Sequence, residues 1–305
     1  MRAPIAAAVA LACVAALAAG CGRAEEPAGG PGEAAAIRAF ATILPQVTFV
    51  EAVGGERVHA QALVRPGQSP HAYDPTPRQM AQLAEADLYF LIGVPFEEIL
   101  RERIQSVSPD MKMVDTGRGI HLRTMEEGHH AEQGHQEHAE HDRGRKDPHV
   151  WLDPNNVMTM ARSIADALVE LDPEHEAEYR SNLEQFLREL EELDEQIQRR
   201  CQDLGKRQFM VYHPAFGYFA DAYGLEQIPI EIEGKSPSAS DLAEIIETAR
   251  RLDIRVIFVQ KQFSSEAAEA VAEEIGGQVV RVDPLARDYM ANMRTMAEAF
   301  AGAMK

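Results

Sequence analysis

A charged stretch of helix-forming residues, Glu174 to Leu204, runs without an internal glycine or proline and separates two halves that share one grammar. Leu183, Phe186, Leu187, Leu190, Leu193 and Ile197 recur along it at helical spacing, which predicts one continuous helix with a single apolar stripe. At about 1.5 Å per residue its roughly 31 residues would reach about 46 Å, enough to lie along two lobes rather than join them by a flexible hinge. A coiled-coil dimer seam is the alternative, but the stripe is too short to require one, so a monomer is expected.

On either side, apolar runs of strand length alternate with helical patterns. Ile37 to Thr42, Val58 to Val64, Leu88 to Ile92 and Met111 to Val114 read as buried strands, with helices near Gln46 to Val53, Arg78 to Ala86 and Glu97 to Val107. The second half repeats this with strands at Phe209 to Tyr212, Gln227 to Ile232, Val256 to Val259 and Val279 to Val282. Its helices lie near Phe216 to Tyr223, Leu242 to Leu252 and Ser265 to Ile275. Such alternation predicts an α/β chain of two lobes, each a mostly parallel sheet flanked by helices. Thr76-Pro77, Asp153-Pro154 and Asp172-Pro173 each set a capping oxygen before a proline, marking helix starts, and Ser238 with Asp241 forms a capping-box-like pair. The expected organisation is a signal peptide over 1–20, a tether over 21–36, an N-terminal lobe over 37–171, the linking helix over 172–204 and a C-terminal lobe over 205–305.

The signal is read from Arg2, the Ala/Val/Leu run and the small residues Ala18, Ala19 and Gly20. This run is shorter than the ~20 apolar residues of a membrane span and contains Pro4. Cys21 follows directly, ahead of a Gly/Pro/Ala/Glu tether from Gly22 to Gly32, in the manner of a bacterial lipoprotein acylated on that cysteine. Ala18 stands where a leucine is usual, with Leu17 one step earlier. With Cys13 in the signal and Cys21 acylated, only Cys201 remains, so no disulfide within the chain is expected. The formal charge of -19, from 49 acidic against 30 basic residues, argues against nucleic acid as a partner and suits a protein that attracts cations.

Four potential metal donors each touch a proline: Pro70-His71, Pro148-His149, His213-Pro214 and Asp283-Pro284. Any one such pair can simply mark a turn. Together they place a donor on four stiffened loops, because proline fixes its own φ and restricts the residue before it. All four lie on the C-terminal side of predicted strands, the edge where open α/β sheets bind ligands. Three imidazoles and a carboxylate make a complete shell for tetrahedral zinc.

These residues sit in HAYDPTP, DPHVWLDP, YHPAFGYFADAYGL, SPSASDL and VDPLA, in that order. In this the chain resembles, over nearly all of its mature length, the zinc and manganese solute-binding proteins of bacterial ABC importers. The resemblance implies two α/β lobes on a rigid backbone helix and His71, His149, His213 and Asp283 as metal ligands. It also implies delivery of the ion to a membrane permease, outside the cytoplasm and without catalysis. Pro70 departs from zinc members that carry an acidic residue before the first histidine. Histidine at 213, where manganese members tend to have a carboxylate, favours Zn²⁺ over Mn²⁺ as cargo.

Between His121 and His149 lies a polar tract in which His129, His130, His135, His138 and His141 alternate with Glu132, Glu137 and Glu140. It cannot build a core, and it matches the histidine-rich loop of zinc members, implying an auxiliary, weak metal-binding loop. A solvated insertion without a transport role is the plainer reading. Trp151, Tyr73, Phe216, Tyr218 and Phe219 are expected to pack around the cleft. An exported zinc hydrolase is disfavoured, since four protein ligands leave no position for water and no HExxH, HxxEH or GxSxG motif occurs. A zinc-containing adhesin is the remaining alternative. The stiff connecting helix implies that release uses small movements.

Overall fold

The structure, a computed structural model, describes residues 36–125, 146–232 and 234–305, and Ala36–Lys305 forms one unit. The signal, the tether with Cys21 and the five interleaved histidines lie outside the described residues.

Strands and helices alternate as the hydrophobic pattern predicts. The first half runs β1 (Ile37–Ala41), α1 (Leu44–Gly54), β2 (Val58–Ala62), α2 (Pro77–Ala84), β3 (Leu88–Leu91), α3 (Phe96–Val107), β4 (Lys112–Asp115) and α4 (Pro154–Leu171). α5 (Glu176–Cys201) follows. The second half runs β5 (Gln208–Val211), α6 (Gly217–Tyr223), β6 (Glu226–Pro229), α7 (Ala239–Arg251), β7 (Val256–Gln260), α8 (Glu266–Ile275), β8 (Gln278–Val282) and α9 (Tyr289–Ala303). The two four-stranded sheets have orders β2-β1-β3-β4 and β6-β5-β7-β8, and every pairing is parallel. The halves are therefore topological repeats, and each first strand lies inside its sheet with chain crossing to both sides. That arrangement opens a crevice at the carboxyl ends of the strands.

The helix starts follow their capping chemistry. The Thr76 hydroxyl accepts from Gln79 N while Gln79 answers Thr76 N, and Ser238 and Asp241 form the same reciprocal pair. Asp153 accepts from Asn155 N ahead of Pro154. α5 is shorter than expected at both ends, and at its amino end a tight turn at Pro173–His175 precedes it. There Asp172 accepts from His175 Nδ1 and the Tyr179 hydroxyl, both at 2.7 Å, so its side chain bonds the turn and the first helical turn together. The hydrophobic pattern did not delimit α4 and α9.

α5 does more than span the two halves. Tyr179, Leu183, Phe186, Leu190, Leu193 and Ile197 are all buried in one hydrophobic cluster with residues of both sheets. Phe49 of α1 meets Tyr289 of α9 edge-on, with ring centroids 4.9 Å apart. The Trp151 indole donates to Pro284 O at 2.9 Å, and the Tyr289 hydroxyl donates to Trp151 O at 2.9 Å. Both lobes thus share a core, which opposes a wide hinge opening.

One buried polar network sits at the carboxyl end of the first sheet. Glu97 accepts from Ile92 N at 3.0 Å, Gly93 N at 2.7 Å and the Thr42 hydroxyl, which also meets the Tyr89 hydroxyl at 2.8 Å. Loss of solvent pushes the Glu97 carboxyl up to about 7 despite those donors. A folded-state value above the unfolded one means that the native state holds the extra proton, so stability falls as pH rises between about 4.5 and 7, by roughly 3 kcal/mol. Urea unfolding of the wild type and Glu97→Gln across that window should show the difference between them growing with pH in favour of the variant. Parallel curves would refute the assignment.

Candidate metal centre

Three of the four proline-flanked donors converge. His71 lies in a tight turn at Pro70–Ala72, between β2 and α2, and the Ser69 hydroxyl accepts from its N–H at 3.2 Å. His149 lies just before the turn Val150–Leu152 that leads into α4. His213 follows β5, where Gln260 at the end of β7 grips its backbone from both sides. Gln260 Oε1 accepts from His213 N at 3.2 Å and Gln260 Nε2 donates to His213 O at 2.6 Å.

The Nε2 atoms of these rings stand 3.1 Å apart for His71 and His149, 3.0 Å for His71 and His213, and 3.3 Å for His149 and His213. Tetrahedral zinc with Zn–N bonds of about 2.0–2.1 Å would separate its nitrogen donors by roughly 3.3 Å. The observed triangle is close to that size.

The opposite ring nitrogens explain why the triangle points inward. His149 Nδ1 lies 2.7 Å from Asp147 Oδ1, which also accepts from His149 N at 3.0 Å, and His213 Nδ1 lies 2.6 Å from Glu231 Oε1. A carboxylate acceptor assigns the proton to Nδ1 and leaves the lone pair on Nε2. Asp147 and Glu231 are both buried, so this tautomer is held by groups with little access to water. Two lone pairs facing one another at 3.3 Å repel unless a cation lies between them. Burial also lowers the His213 pKa below its usual value, over the opposing pull of Glu231, and keeps that ring neutral and able to bind metal.

The surrounding cavity is small, about 20 Å³, and includes Ser69, Trp151, Gln262, Phe263 and Leu285 in its wall. That is on the order of one water molecule and far below the roughly 300 Å³ at which organic ligand pockets begin. Phe263 stacks on the His213 ring at 4.8 Å, and Trp151 lies 5.3 Å from His149, so aromatic faces fix both rings.

Asp283, the fourth expected donor, is not among the donor atoms that lie together in the described residues. It lies just after β8, where Oδ1 accepts from Leu285 N at 3.1 Å and from Gln262 Nε2 at 3.0 Å, while Oδ2 is 3.4 Å from Lys261 Nζ. Its carboxylate serves the Pro284–Leu285 turn and lines a separate cleft of about 270 Å³ with Arg65 and Arg287. Gln262, between Asp283 and the imidazoles, has a buried Oε1 with no hydrogen-bond partner among the described residues. Such an acceptor is costly unless the cavity's occupant satisfies it.

Of the aromatic residues expected around the cleft, Trp151 lines the cavity, whereas Tyr73 packs on Phe96, and Phe216 and Phe219 pack on Phe300 in the core. Sequence reasoning missed Asp147, Glu231, Gln260 and Gln262 as parts of the site. Asp147, two residues before His149, was the one with a local signal; Glu231 reaches His213 across 18 positions through the pairing of β5 with β6.

Known proteins resemble this chain over most of its length. The family model described as "Zinc-uptake complex component A periplasmic" (ZnuA) matches residues 40–303. The high-affinity zinc uptake system protein ZnuA of Bacillus subtilis is 29% identical over 266 residues, covering 86% of this chain and 82% of that protein. A manganese-binding lipoprotein, MntA of Halalkalibacterium halodurans, is 28% identical over 274 residues, covering 87% and 85%. A crystal structure of ZnuA superposes with a TM-score of 0.82 at 38% identity, covering 88% of this chain and 100% of that one. A zinc-bound ZnuA lacking its residues 138–173 superposes at 0.80 and 38% identity, covering 88% and 98%. Two repeated parallel sheets, one shared backbone helix and a family match across nearly the whole described chain place this protein in the ZnuA family of periplasmic zinc-uptake components.

Proposed function

We propose that this chain is an extracytoplasmic receptor that captures one Zn²⁺ through His71, His149 and His213 and delivers it to an ABC permease. The observation that carries the reading is the triangle of Nε2 atoms, 3.0–3.3 Å on a side, with two of its imidazoles oriented by buried carboxylates. Neutral nitrogen donors suit zinc over manganese, which prefers oxygen-rich shells. The cavity volume suits a bare ion. The net charge of -19 attracts cations towards the protein, and the residues between His121 and His149 carry the histidines that would gather them.

Loading displaces protons wherever a ring has taken one, so affinity falls as pH drops, and the depressed His213 keeps its share of the site open into mildly acidic conditions. Equilibrium dialysis should give one tightly held zinc per chain. Substituting His71, His149 or His213 singly by Ala should weaken it by more than the roughly 10- to 100-fold that loss of an outer hydrogen-bond partner costs, with Asp147→Asn and Glu231→Gln inside that range. Asp283→Asn should cost less than any histidine. Stoichiometric manganese binding with negligible zinc would overturn the assignment.

No described helix is long and apolar enough to cross a membrane. Attachment is assigned to a lipid on Cys21 after removal of the signal, with the protein acting as a monomer. Mass spectrometry of the mature amino terminus should find a diacylated cysteine at that position. A free thiol there would remove the anchor.

A further inference from the structure

The segment carrying the interleaved histidines joins the described structure through a short stem fastened to both lobes. Thr124 and Lys146 form an antiparallel bridge, and Asp147 N donates to Arg123 O at 3.0 Å. Arg123 N donates to the Tyr218 hydroxyl at 3.1 Å, and that hydroxyl donates to Asp147 O at 2.9 Å. The guanidinium completes the connection, with Nη1 3.4 Å from Asp147 Oδ2 and Nε 3.0 Å from Asp221 Oδ2. Tyr218 and Asp221 belong to α6, which begins four residues after His213. One arginine therefore touches both the carboxylate that orients His149 and the helix that follows His213.

The charge balance makes this contact consequential. The Asp147 side chain is fully buried and that of Arg123 is 15% exposed. Asp147 Oδ1 is engaged by the backbone and ring of His149, while Oδ2 faces the guanidinium. Removing one partner of a buried ion pair leaves the other charge uncompensated. Asp147 relieves that cost by rotating away from the vacated position, and that rotation loosens its hold on His149 Nδ1. Position 217 reserves the necessary space: a Cβ on Gly217 would lie 1.2 Å from Arg123 Nη1, 2.3 Å from its Cζ and 3.0 Å from Asp147 Oδ2.

We propose that Arg123 is an interlobe latch, a positioning residue that holds the His149 loop against the His213 side through Asp147 and Asp221 and sets how long the centre retains zinc. The proposal rests on the receptor reading above. Gly217 is part of the same device, because even a methyl group there displaces the guanidinium without altering a charge.

Stopped-flow transfer of zinc from the full chain to a chelator tests it, with apo thermal midpoints recorded alongside. Arg123→Ala and Gly217→Ala should each release zinc about tenfold faster, the lower end of what losing a ligand's orienting partner costs. Arg123→Lys should restore part of the retention. Asp221→Asn, at a side chain 63% exposed, should speed release about threefold. Wild-type release rates in both Arg123→Ala and Gly217→Ala would overturn the latch, as would equal losses in Arg123→Ala and Arg123→Lys. Should those variants not fold, an unchanged rate in Asp221→Asn overturns it, and faster release supports it. Absence of zinc binding by the wild type would instead defeat the receptor reading.

Discussion

Two hydrogen bonds, from His149 Nδ1 to Asp147 and from His213 Nδ1 to Glu231, determine what this molecule can hold. Each takes the ring proton to the outside of the cluster and leaves a lone pair facing the other imidazoles. A pocket so arranged disfavours its own empty state, because acceptors 3.3 Å apart have no proton to share. A small, nitrogen-seeking cation relieves the repulsion. The rest of the fold keeps those four side chains, with His71, in register.

The scaffold suits that task because its parts are not independent. The buried stripe of α5 lies in the same hydrophobic cluster as both sheets, and Trp151, Pro284 and Tyr289 are linked directly across the lobes. Close-packed interiors respond to strain by discrete rearrangement rather than smooth opening. Release by movement of short loops and of the stem at Arg123 is consistent with such a body; separation of the lobes would break the shared core.

Much of this was legible in the chain. Short apolar runs between helical patterns reported the parallel strands, since strands covered on both faces need no polar alternation, and Leu88–Leu91 is buried throughout. The three histidines were legible because proline beside each one betrays a loop built for rigidity. Asp283 carries the same mark, and its carboxylate stabilises the turn at Pro284–Leu285 and meets Gln262 and Lys261. A proline neighbour thus reports a stiff turn and is silent about which way the side chain faces. The orienting acids were harder to find. Glu231 meets His213 through sheet register, and the pairing of Arg123 with Asp147 and Asp221 arises only when the stem closes against α6; no local motif encodes either.

X-ray absorption spectroscopy at the zinc edge of the singly loaded protein tests the centre most directly. Three imidazoles bound through Nε2 should give three nitrogen scatterers at about 2.0–2.1 Å with the outer-shell pattern of histidine rings. A spectrum dominated by oxygen, or one with fewer than three imidazoles around the metal, would contradict the account.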